Sequence, residues 1–341
     1  MKNKTIRIKD SSNGRIFLAW KLLDWLNNSP FNVFINESEY QKNIQTLIVF
    51  TKISKSNAKI PDLTIEITSN IKGNISEDLL YYPIVDSSVD IFDLNLDYYL
   101  PVQNNDHNFK QPHLQDVNDY ISRKFATKTI KDKKVLISAG PTIEDLDAVR
   151  FLSNRSTGKM GIALARAAFC RGADVCLVCG PTHQRIPNYL KIYKVRGAAE
   201  MESLVLEKIK WSDIFFSCAA VADYTPTEYH IGKLKKGSGN LKIELKRTVD
   251  ILIEAARLKT NNQKFIGFSV ETDNLIENSQ KKLVRKKLDM IVANNPMIKG
   301  AGFENDTNQV EIITKDDIIS LPLSSKLEVA HKIIDNLTFS D

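Results

Sequence analysis

The stretch SAGPTIEDLDAVRFLSNRSTGKMG, residues 138–161, decides the fold of the half of the chain that contains it. An apolar run at 135–139 predicts a buried strand, and a polar loop with Ser156, Thr157 and Gly158 follows it. Apolar residues then recur with the spacing of one buried helix face at Met160, Leu164, Ala167 and Ala168. Such a loop suits an anion, because the first N–H groups of a helix have no internal partner. The alternative is a polar loop that only caps the helix.

Two common phosphate-binding loops are excluded by their spacing. The Walker A pattern needs Gly five residues before its Gly-Lys pair and a hydroxyl residue after it. This chain has Ser153 and Met160 at those positions. The dinucleotide fingerprint G-x-G-x-x-G begins at 237 and again at 300, but Lys242 and Asn305 stand where its last Gly is required.

The composition is that of a globular protein large enough for two domains. The chain has 341 residues, of which 43% are hydrophobic and 26% are charged. No apolar run approaches the ~18 residues that span a bilayer, and the first residues lack the apolar core of a secretory signal. The net charge of +6 comes without a basic stripe. We therefore expect a cytoplasmic protein that binds neither nucleic acid nor membrane.

The cysteines and histidines do not indicate a metal or redox site. Cys176 and Cys179 form a C-x-x-C pair inside an apolar run that predicts a strand. Alternation of strand side chains places the two thiols on opposite faces, which favours buried structural cysteines. Disulfides are not expected in a cytoplasmic protein. The five histidines are scattered along the chain.

Strands and helices alternate from residue 135 onward. Strands are predicted at 135–139, 174–179, 190–195, 214–219, 242–245, 265–269, 290–293 and 309–314, and helices at 159–171, 198–210, 249–258, 275–288 and 326–337. This order predicts an α/β fold with a Rossmann-like, mostly parallel sheet flanked by helices. Ligands of such sheets bind beyond the carboxyl ends of the strands, where the strand order reverses.

Residues 1–130 are richer in Asn, Ser, Asp and Tyr and have weaker periodicity. They predict a helix at 17–26 and strands at 32–35, 46–51 and 63–68. The polar stretch 103–118 predicts a linker or surface loop within a polar region that reaches residue 130. We expect two domains, at 1–130 and 131–341.

Chemistry-bearing residues follow several of the predicted strands. Asp223 ends a run of small residues and suits a ribose hydroxyl, a divalent cation or a simple turn. Lys233 begins a Lys- and Gly-rich segment at 233–239, which indicates either a mobile cationic lid over phosphates or a solvated charge run. Thr248 is the expected N-cap of the helix that follows 247–250.

One aromatic residue and two lysines complete the candidate site. Phe268 is either a core aromatic or a platform for a base. Lys282 and Lys286 lie four residues apart on one helix face, where a bound anion would relieve their repulsion. The alternative for the two lysines is an ordinary basic surface.

Taken in order, these motifs resemble phosphopantothenate–cysteine ligase, which in many bacteria is the carboxy-terminal half of a bifunctional coenzyme A biosynthesis flavoprotein. The resemblance covers residues 133–337 and lies in the 138–161 stretch, CAAVADY at 218–224, KLKK at 233–236, GF and ETDN within 267–274, and RKKLDMIVANN at 285–295. It implies that CTP, with Mg²⁺, activates the carboxylate of 4′-phosphopantothenate as an acyl-cytidylate. The amine of cysteine then attacks the acyl carbon and releases CMP.

The resemblance implies a nucleotide site built from several segments. Lys233, Lys282 and Lys286 would hold the triphosphate. The backbone of Ser217, Cys218 and Ala219 would line the nucleotide. Asp223 would bind it directly or through the metal ion, and Phe268 would pack on the cytosine. Arg247, Thr248, Val249 and Asp250 match a family segment that normally has the sequence Lys-Asn-Pro-Asp, from which Thr248 and Val249 depart.

The second substrate site and the assembly are also implied by resemblance. Asn154 would bind the acyl intermediate, and Arg150 would support the phosphopantothenate site. The family acts as a dimer whose sites are completed across the interface, so a homodimer or larger homo-oligomer is expected.

The front half resembles, only faintly at 14–44 and 74–80, the FMN-binding decarboxylase of bifunctional relatives. Residues 1–169 contain no Cys and residues 2–159 contain no Met, so the reactive thiol and the Pro-x-Met-Asn motif of that enzyme are absent. His107 and His113 lie in the polar stretch, a poor setting for a catalytic base. We expect a shortened region without decarboxylase activity or a functional FMN site. The alternatives are a bifunctional enzyme, a non-catalytic FMN-binding protein and an NAD(P)-dependent Rossmann reductase, which the missing glycine fingerprint disfavours.

Overall fold

The computed structural model describes residues 5–10, 32–35, 63–68, 79–83, 85–86, 102–104, 109–127, 129–235 and 240–339. The chain divides into two compact units, Met1–Ala126 and Thr127–Asp341. The predicted helix at 17–26, the predicted strand at 46–51 and His107 lie outside the described residues, as do most of 14–44 and 74–80.

The first unit contains a parallel sheet, an antiparallel sheet and a helix in its described parts. Its elements are β1 (Thr5–Asp10), β2 (Asn32–Ile35), β3 (Leu63–Thr68), β4 (Leu79–Pro83), β5 (Val85–Asp86), β6 (Val102–Asn104), β7 (Phe109–Pro112) and α1 (Leu114–Phe125). The parallel sheet has the order β2-β1-β3-β4, and the antiparallel sheet has the order β5-β7-β6. The strands predicted at 32–35 and 63–68 are confirmed.

The polar stretch 103–118 was expected to be a linker or surface loop, and this expectation is wrong for its second half. Strand β7 and the first turn of α1 occupy residues 109–118. His113 caps the helix, because its Nδ1 accepts a hydrogen bond from the amide of Gln115 at 3.1 Å. The helix buries Val117, Tyr120 and Ile121 on one face. Apolar residues with helical spacing stand at Leu114, Val117, Ile121 and Phe125, but a linker that ends at residue 118 contains only the first two.

The second unit carries the elements that the alternating pattern predicts. Its strands are β8 (Lys134–Ala139), β9 (Ile143–Asp145), β10 (Phe151–Ser153), β11 (Asp174–Cys179), β12 (Lys191–Lys194), β13 (Ile214–Ser217), β14 (Tyr224–Pro226), β15 (Leu245–Arg247), β16 (Lys264–Val270), β17 (Met290–Asn294), β18 (Thr307–Ile313) and β19 (Ile318–Ser325). Its helices are α2 (Lys159–Cys170), α3 (Ala198–Ile209), α4 (Ile251–Arg257), α5 (Leu275–Arg285) and α6 (Lys326–Asp335).

Eight of these strands form one sheet in the order β12-β11-β8-β13-β16-β17-β18-β19. The first six are parallel, and β18 and β19 extend the sheet with antiparallel pairs. Numbered along the chain, the parallel strands follow the order 3-2-1-4-5-6 of the Rossmann fold. The predicted Rossmann-like, mostly parallel sheet is therefore confirmed.

Helices cover both faces of this sheet, as its apolar strands require. One core contains Ile137 of β8 with buried residues of α2 and α6. The other contains Leu136, the next residue, with buried residues of α3, α4 and α5. Cys179 belongs to the first core and Cys176 to the second, so the predicted opposite placement is confirmed. Burial raises the pKa of both thiols to about 11.

The strand predicted at 242–245 is wrong. Residues 241–244 have no regular structure, and β15 begins only at Leu245. Strand β15 pairs antiparallel with β14 outside the main sheet. Leu241, Ile243 and Leu245 alternate with polar residues, as in a strand with one buried face, but all three side chains are exposed. The short pair of β9 and β10 and the edge strand β19 were missed, because they bury little continuous apolar surface. Among the described residues, no helix has the length and apolar character needed to cross a bilayer.

Candidate functional site

A cleft of about 380 Å³ opens beyond the carboxyl ends of the central strands. From β8 the chain continues to its neighbour β11, toward one edge of the sheet. From β13, which lies next to β8, it continues to β16, toward the opposite edge. The crevice between such strands is where doubly wound sheets bind ligands. The cleft is lined by the segment after β13, the starts of α2 and α4, the ends of β16 and β17, and the segment before β18.

Hydrogen bonds fix the segment after β13 against the segment after β8. The Oγ of Ser138 accepts from the amide of Ala219 at 3.3 Å. The carbonyl of Gly140 accepts from the amide of Ala220 at 2.9 Å. Gly140 has φ of 75°, a left-handed conformation that glycine adopts without strain. The small residues of this wall therefore present their backbone to the cleft in a fixed position.

Cys218 lies in the same wall. Burial raises the pKa of its thiol to about 12, which disfavours the reactive thiolate form. Cys218 contributes its backbone and its volume to the cleft.

The start of α2 faces the cleft, as the 138–161 stretch predicts for an anion site. Residues 156–160 line the cleft, and Gly158 occupies the N-cap with φ of 80° and no side-chain cap. The Oγ1 of Thr182 donates to the carbonyl of Thr157 at 2.7 Å and holds this turn. The helix N-terminus therefore presents its own amides and its positive dipole end to the cleft.

The start of α4 is capped by Asp250, and the prediction of Thr248 as the N-cap is wrong. The Oδ1 of Asp250 accepts from the amide of Ile253 at 3.3 Å. The hydroxyl of Thr248 instead donates to the carbonyl of Ala222 at 2.5 Å, and the helix begins only at Ile251. Thr248 thus ties the start of α4 to the wall that follows β13.

Lys282 and Lys286 are each paired with a carboxylate. Lys286 lines the cleft and lies 2.8 Å from Asp250. Lys282 lies behind the lining, 2.5 Å from Glu271. Burial opposes ionisation of Glu271, but Lys282 and the hydroxyl of Ser269 hold the pKa of that carboxyl below its usual value.

Most of the predicted site residues meet in this one cleft. Those that line it are Ser217, Cys218, Ala219, Asp223, Thr248, Val249, Asp250, Phe268 and Lys286. Arg150, Asn154, Lys233, Arg247 and Lys282 are not among the lining residues. Phe268 is half-buried and also packs against the core, so both roles weighed for it are compatible.

Arg150 and Lys233 lie in two neighbouring segments that are joined by hydrogen bonds to one buried carboxylate. Asp147 is 2% exposed and accepts hydrogen bonds from the Arg150 guanidinium at 2.6 and 3.0 Å. It also accepts from the amide of Leu234 at 3.0 Å, and Arg150 donates to the carbonyl of Leu234 at 2.7 Å. Lys233, the residue before Leu234, is exposed.

Asn154 and Arg247 lie outside the lining of the cleft. The Nδ2 of Asn154 donates to the carbonyls of Ala220 and Val221 at 3.0 and 3.1 Å, so it supports the wall after β13. Arg247 is exposed, and its backbone pairs with Tyr224 in the ribbon of β14 and β15.

Sequence reasoning missed one side of the cleft. Asn308, Lys326 and residues 301–303 line this side and belong to none of the family motifs named above, while Asn294 lies in the 285–295 motif but was given no role. The available signal was Lys326, a cation directly after a Ser at the start of a helix, where the dipole disfavours positive charge.

The chemistry of the lining suits an anionic ligand. Lys159, Lys286 and Lys326 line the cleft together with two carboxylates, Asp223 and Asp250. Among the described residues, no group of three or more His, Cys, Asp or Glu could hold a metal ion. Mg²⁺ is nevertheless often held by a single carboxylate together with substrate phosphates. Asp223 is exposed in the cleft and fits that arrangement.

The strand order and the cleft at its switch point define a Rossmann-like α/β domain of the ligand-binding kind. The family described as DNA/pantothenate metabolism flavoprotein C-terminal domain matches residues 130–339, and the chain belongs to this family.

Three similar proteins carry informative names. Over 228 residues the chain is 45% identical to the coenzyme A biosynthesis bifunctional protein CoaBC of Bacillus subtilis (strain 168), covering 65% of this chain and 56% of that protein. Over 224 residues it is 45% identical to a cysteine/cysteine sulfinic acid decarboxylase of an unknown prokaryotic organism, covering 65% and 62%. The crystal structure of the C-terminal domain of a CoaBC protein is 40% identical, with a TM-score of 0.53, covering 61% of this chain and 95% of that one. The chain spans little more than half the length of the curated relatives it matches.

Proposed function

We propose that the second unit ligates 4′-phosphopantothenate to cysteine in coenzyme A biosynthesis, with CTP as the activating nucleotide. The observation that carries this proposal is the convergence of most predicted nucleotide-site residues on one cleft at the switch point of the sheet. Membership of the family and 40% identity to a CoaBC C-terminal domain support it.

In the first step, a carboxylate oxygen of phosphopantothenate attacks the α-phosphorus of CTP. The bond from that phosphorus to the bridging oxygen breaks, and pyrophosphate leaves. Two anions must approach each other, so the site must neutralise charge. Lys286 and the start of α2 supply positive charge inside the cleft, and we assign Lys233 and Lys282, which lie outside the lining, to the triphosphate by resemblance. Mg²⁺, when bound with Asp223, would neutralise the phosphates further.

In the second step, the amine of cysteine attacks the acyl carbon of the intermediate. A C–N bond forms, the C–O bond to the phosphate breaks, and CMP leaves with its electron pair while the amine loses a proton. Asn154 holds the wall at Ala220 and Val221, so we place the acyl intermediate beside this wall. Arg150, with Asp147, fixes the neighbouring segment at Leu234.

We also propose that the first unit does not decarboxylate phosphopantothenoylcysteine and carries no functional FMN site. The absence of Cys from residues 1–169 supports this, because the resembled enzyme uses a reactive thiol. The name of the prokaryotic relative, a decarboxylase, makes the opposite outcome worth measuring. Bound FMN together with CO₂ release from phosphopantothenoylcysteine would contradict the proposal.

A homodimer is the proposed assembly. A set of large apolar side chains is exposed on β10, β14, β15 and the segments beside them, namely Val149, Phe151, Tyr224, Tyr229, Ile231, Leu241, Ile243 and Leu245. These segments are neighbours, since the amide of Ala148 donates to the carbonyl of Gly232 and β14 pairs with β15. Exposed apolar surface of this kind is typical of a protein interface.

The decisive experiment measures pyrophosphate release from the purified full-length protein with CTP, phosphopantothenate and cysteine. We expect release that requires both CTP and phosphopantothenate, and formation of phosphopantothenoylcysteine when cysteine is added. Parallel reactions with ATP test the nucleotide preference. Calorimetric binding of NADPH or FMN in place of CTP, without pyrophosphate release, would favour the reductase or flavoprotein alternatives.

A further inference from the structure

Lys326 is a buried lysine at the first position of α6, where elementary electrostatics disfavours a cation. Its residue is 6% exposed and directly follows the N-cap Ser325. The start of a helix carries partial positive charge, and burial removes the hydration of an ammonium group. A lysine in this place therefore needs acceptors provided by the fold.

Three carbonyl groups of one loop provide these acceptors. The Nζ of Lys326 donates to the carbonyl of Gly302 at 3.1 Å and to that of Phe303 at 3.2 Å. It also donates to the carbonyl of Asn305. An ammonium group has three protons, so the three carbonyls use all of them. Lys326 thus has no free donor for a bound anion, and its charge acts on the loop instead.

The loop that Lys326 holds, residues 301–306, is here called the capping loop. Its residues 301–303 line the cleft on the side that sequence reasoning missed. The start of α2 holds it as well: the hydroxyl of Thr157 donates to the carbonyl of Phe303 at 2.9 Å, and Lys159 lies 2.7 Å from Asp306. The capping loop therefore connects the starts of two helices across one side of the cleft.

We infer that Lys326 is a positioning residue of the proposed ligase: its ammonium group holds the capping loop in place as a fixed wall for the bound nucleotide. This inference rests on the proposed function. Lys326 differs in this role from Lys286, whose partner is a single carboxylate and which can exchange that partner for a phosphate.

The protonation state of Lys326 gives the inference a pH dependence. Burial, and then repulsion from Lys159, lower the pKa of Lys326 to about 8, against the opposing influence of Asp306 and Cys218. These three are the charged and titratable groups that face it from α2, the capping loop and the wall after β13. Loss of the proton removes one donor and the charge, so the capping loop is held less firmly above pH 8 than below it.

The test compares the wild type with Lys326→Met and with a matched control, Lys332→Met. Lys332 lies on the exposed side of the same helix, so its substitution removes an equal charge without touching the cleft. Hydrogen exchange of peptides spanning 300–306 is measured without nucleotide. We expect exchange about tenfold faster in Lys326→Met and unchanged in the control. The KM for CTP is expected to rise about tenfold, with the KM for cysteine changed less than about twofold.

Faster exchange with an unchanged KM for CTP would overturn the positioning role, and so would exchange equal to that of the wild type. If Lys326→Met does not fold, the wild type still decides the matter through its pH profile. The KM for CTP should rise as pH passes 8, and a flat profile between pH 7 and 9 would contradict the inference. An inactive wild type would count against the proposed function, while the exchange measurement would still test the contact between Lys326 and the capping loop.

Discussion

Asp147 shows how a residue outside the cleft controls residues proposed to act at it. Its carboxylate is buried and accepts hydrogen bonds from the Arg150 side chain and from three backbone amides. Burial opposes ionisation, but these hydrogen bonds hold the pKa of Asp147 well below its ordinary value. The segment that carries Lys233 is fixed through the amide of Leu234. Asp147 therefore fixes the position of the segment that carries Lys233.

We expect Asp147→Asn to lower the Tm at pH 7 by at least about 3 °C and to reduce pyrophosphate release. Because the folded pKa is depressed, the stabilisation by Asp147 is present above the unfolded pKa of about 3.9 and is lost as pH falls through the lower folded value. The difference in Tm between wild type and variant should therefore shrink below pH 4. Thermal unfolding followed by circular dichroism at several pH values measures it.

Asp145→Asn provides the matched control. Asp145 also forms a bidentate ion pair with an arginine: the guanidinium of Arg196 donates to its two carboxylate oxygens at 2.6 and 2.8 Å. Both side chains are substantially exposed. Exposed ion pairs contribute little to stability. A Tm loss in Asp145→Asn as large as that in Asp147→Asn would contradict the importance assigned to burial.

Single residues were predictable from the sequence where a motif carried them. Phe268, Asp223 and Lys286 were placed in one site from their motifs, and the structure brings them to one cleft. Arg150 was named as a site residue, but its partner Asp147 was not, because a carboxylate in a loop gives no sequence signal of burial. Lys326 was missed because its acceptors are backbone carbonyls, which a sequence does not show; the one signal was its place directly after the N-cap Ser325.

At the scale of elements, the contact between α2 and β8 sets the position of the helix start that lines the cleft. Gly161, in the first turn of α2, packs directly on the end of β8. A Cβ atom added at Gly161 would lie 2.4 Å from the Cβ of Ala139. The glycine therefore allows the helix to approach the strand closely enough for residues 156–160 to line the cleft.

We expect Gly161→Ala to destabilise the fold by about 1–3 kcal/mol, because the helix must move away from the sheet to relieve the overlap. The same movement should weaken CTP binding. Chemical denaturation measures the first effect and isothermal titration calorimetry the second. Gly197→Ala is the control, since a Cβ there would meet its nearest atom at an ordinary 3.5 Å. The control should lose less than about 1 kcal/mol, and equal losses in both variants would contradict the argument.

Elements were predictable where their apolar period was long and continuous. The central strands and the five helices of the second unit follow runs that are buried on one or both faces. The ribbon of β14 and β15 was not predictable, since its alternating apolar residues are exposed in the single chain. Alternation signals a surface to be covered, but it does not reveal whether a sheet or a second molecule covers it.

At the scale of the whole molecule, the exposed apolar set on β10, β14, β15 and their flanking segments is the surface that we assign to the proposed homodimer. Ile231 is 90% exposed, and Phe151 is 51% exposed. Both side chains are apolar, so water contacts apolar groups directly at these two positions. The proposed homodimer would bury this surface.

We expect Ile231→Asp and Phe151→Asp each to weaken self-association at least about tenfold, because a carboxylate would be buried without a partner. Activity should fall at protein concentrations where the dimer dissociates. Analytical ultracentrifugation over a concentration series measures the effect. Val284→Asp, which changes a 73% exposed residue on α5, is the control and should leave self-association unchanged. A wild type that is monomeric at all concentrations would refute the proposed dimer.

The position of α6 in the fold has a consequence for biosynthesis of the protein. This helix buries Val329, Ala330 and Ile333 against the core that contains α2, and it brings Lys326 to the capping loop. A ribosome must therefore have translated the residues of α6 before this wall of the cleft is complete. Under the proposed function, a nascent chain that still lacks α6 would gain less stability from CTP than a chain that already contains it.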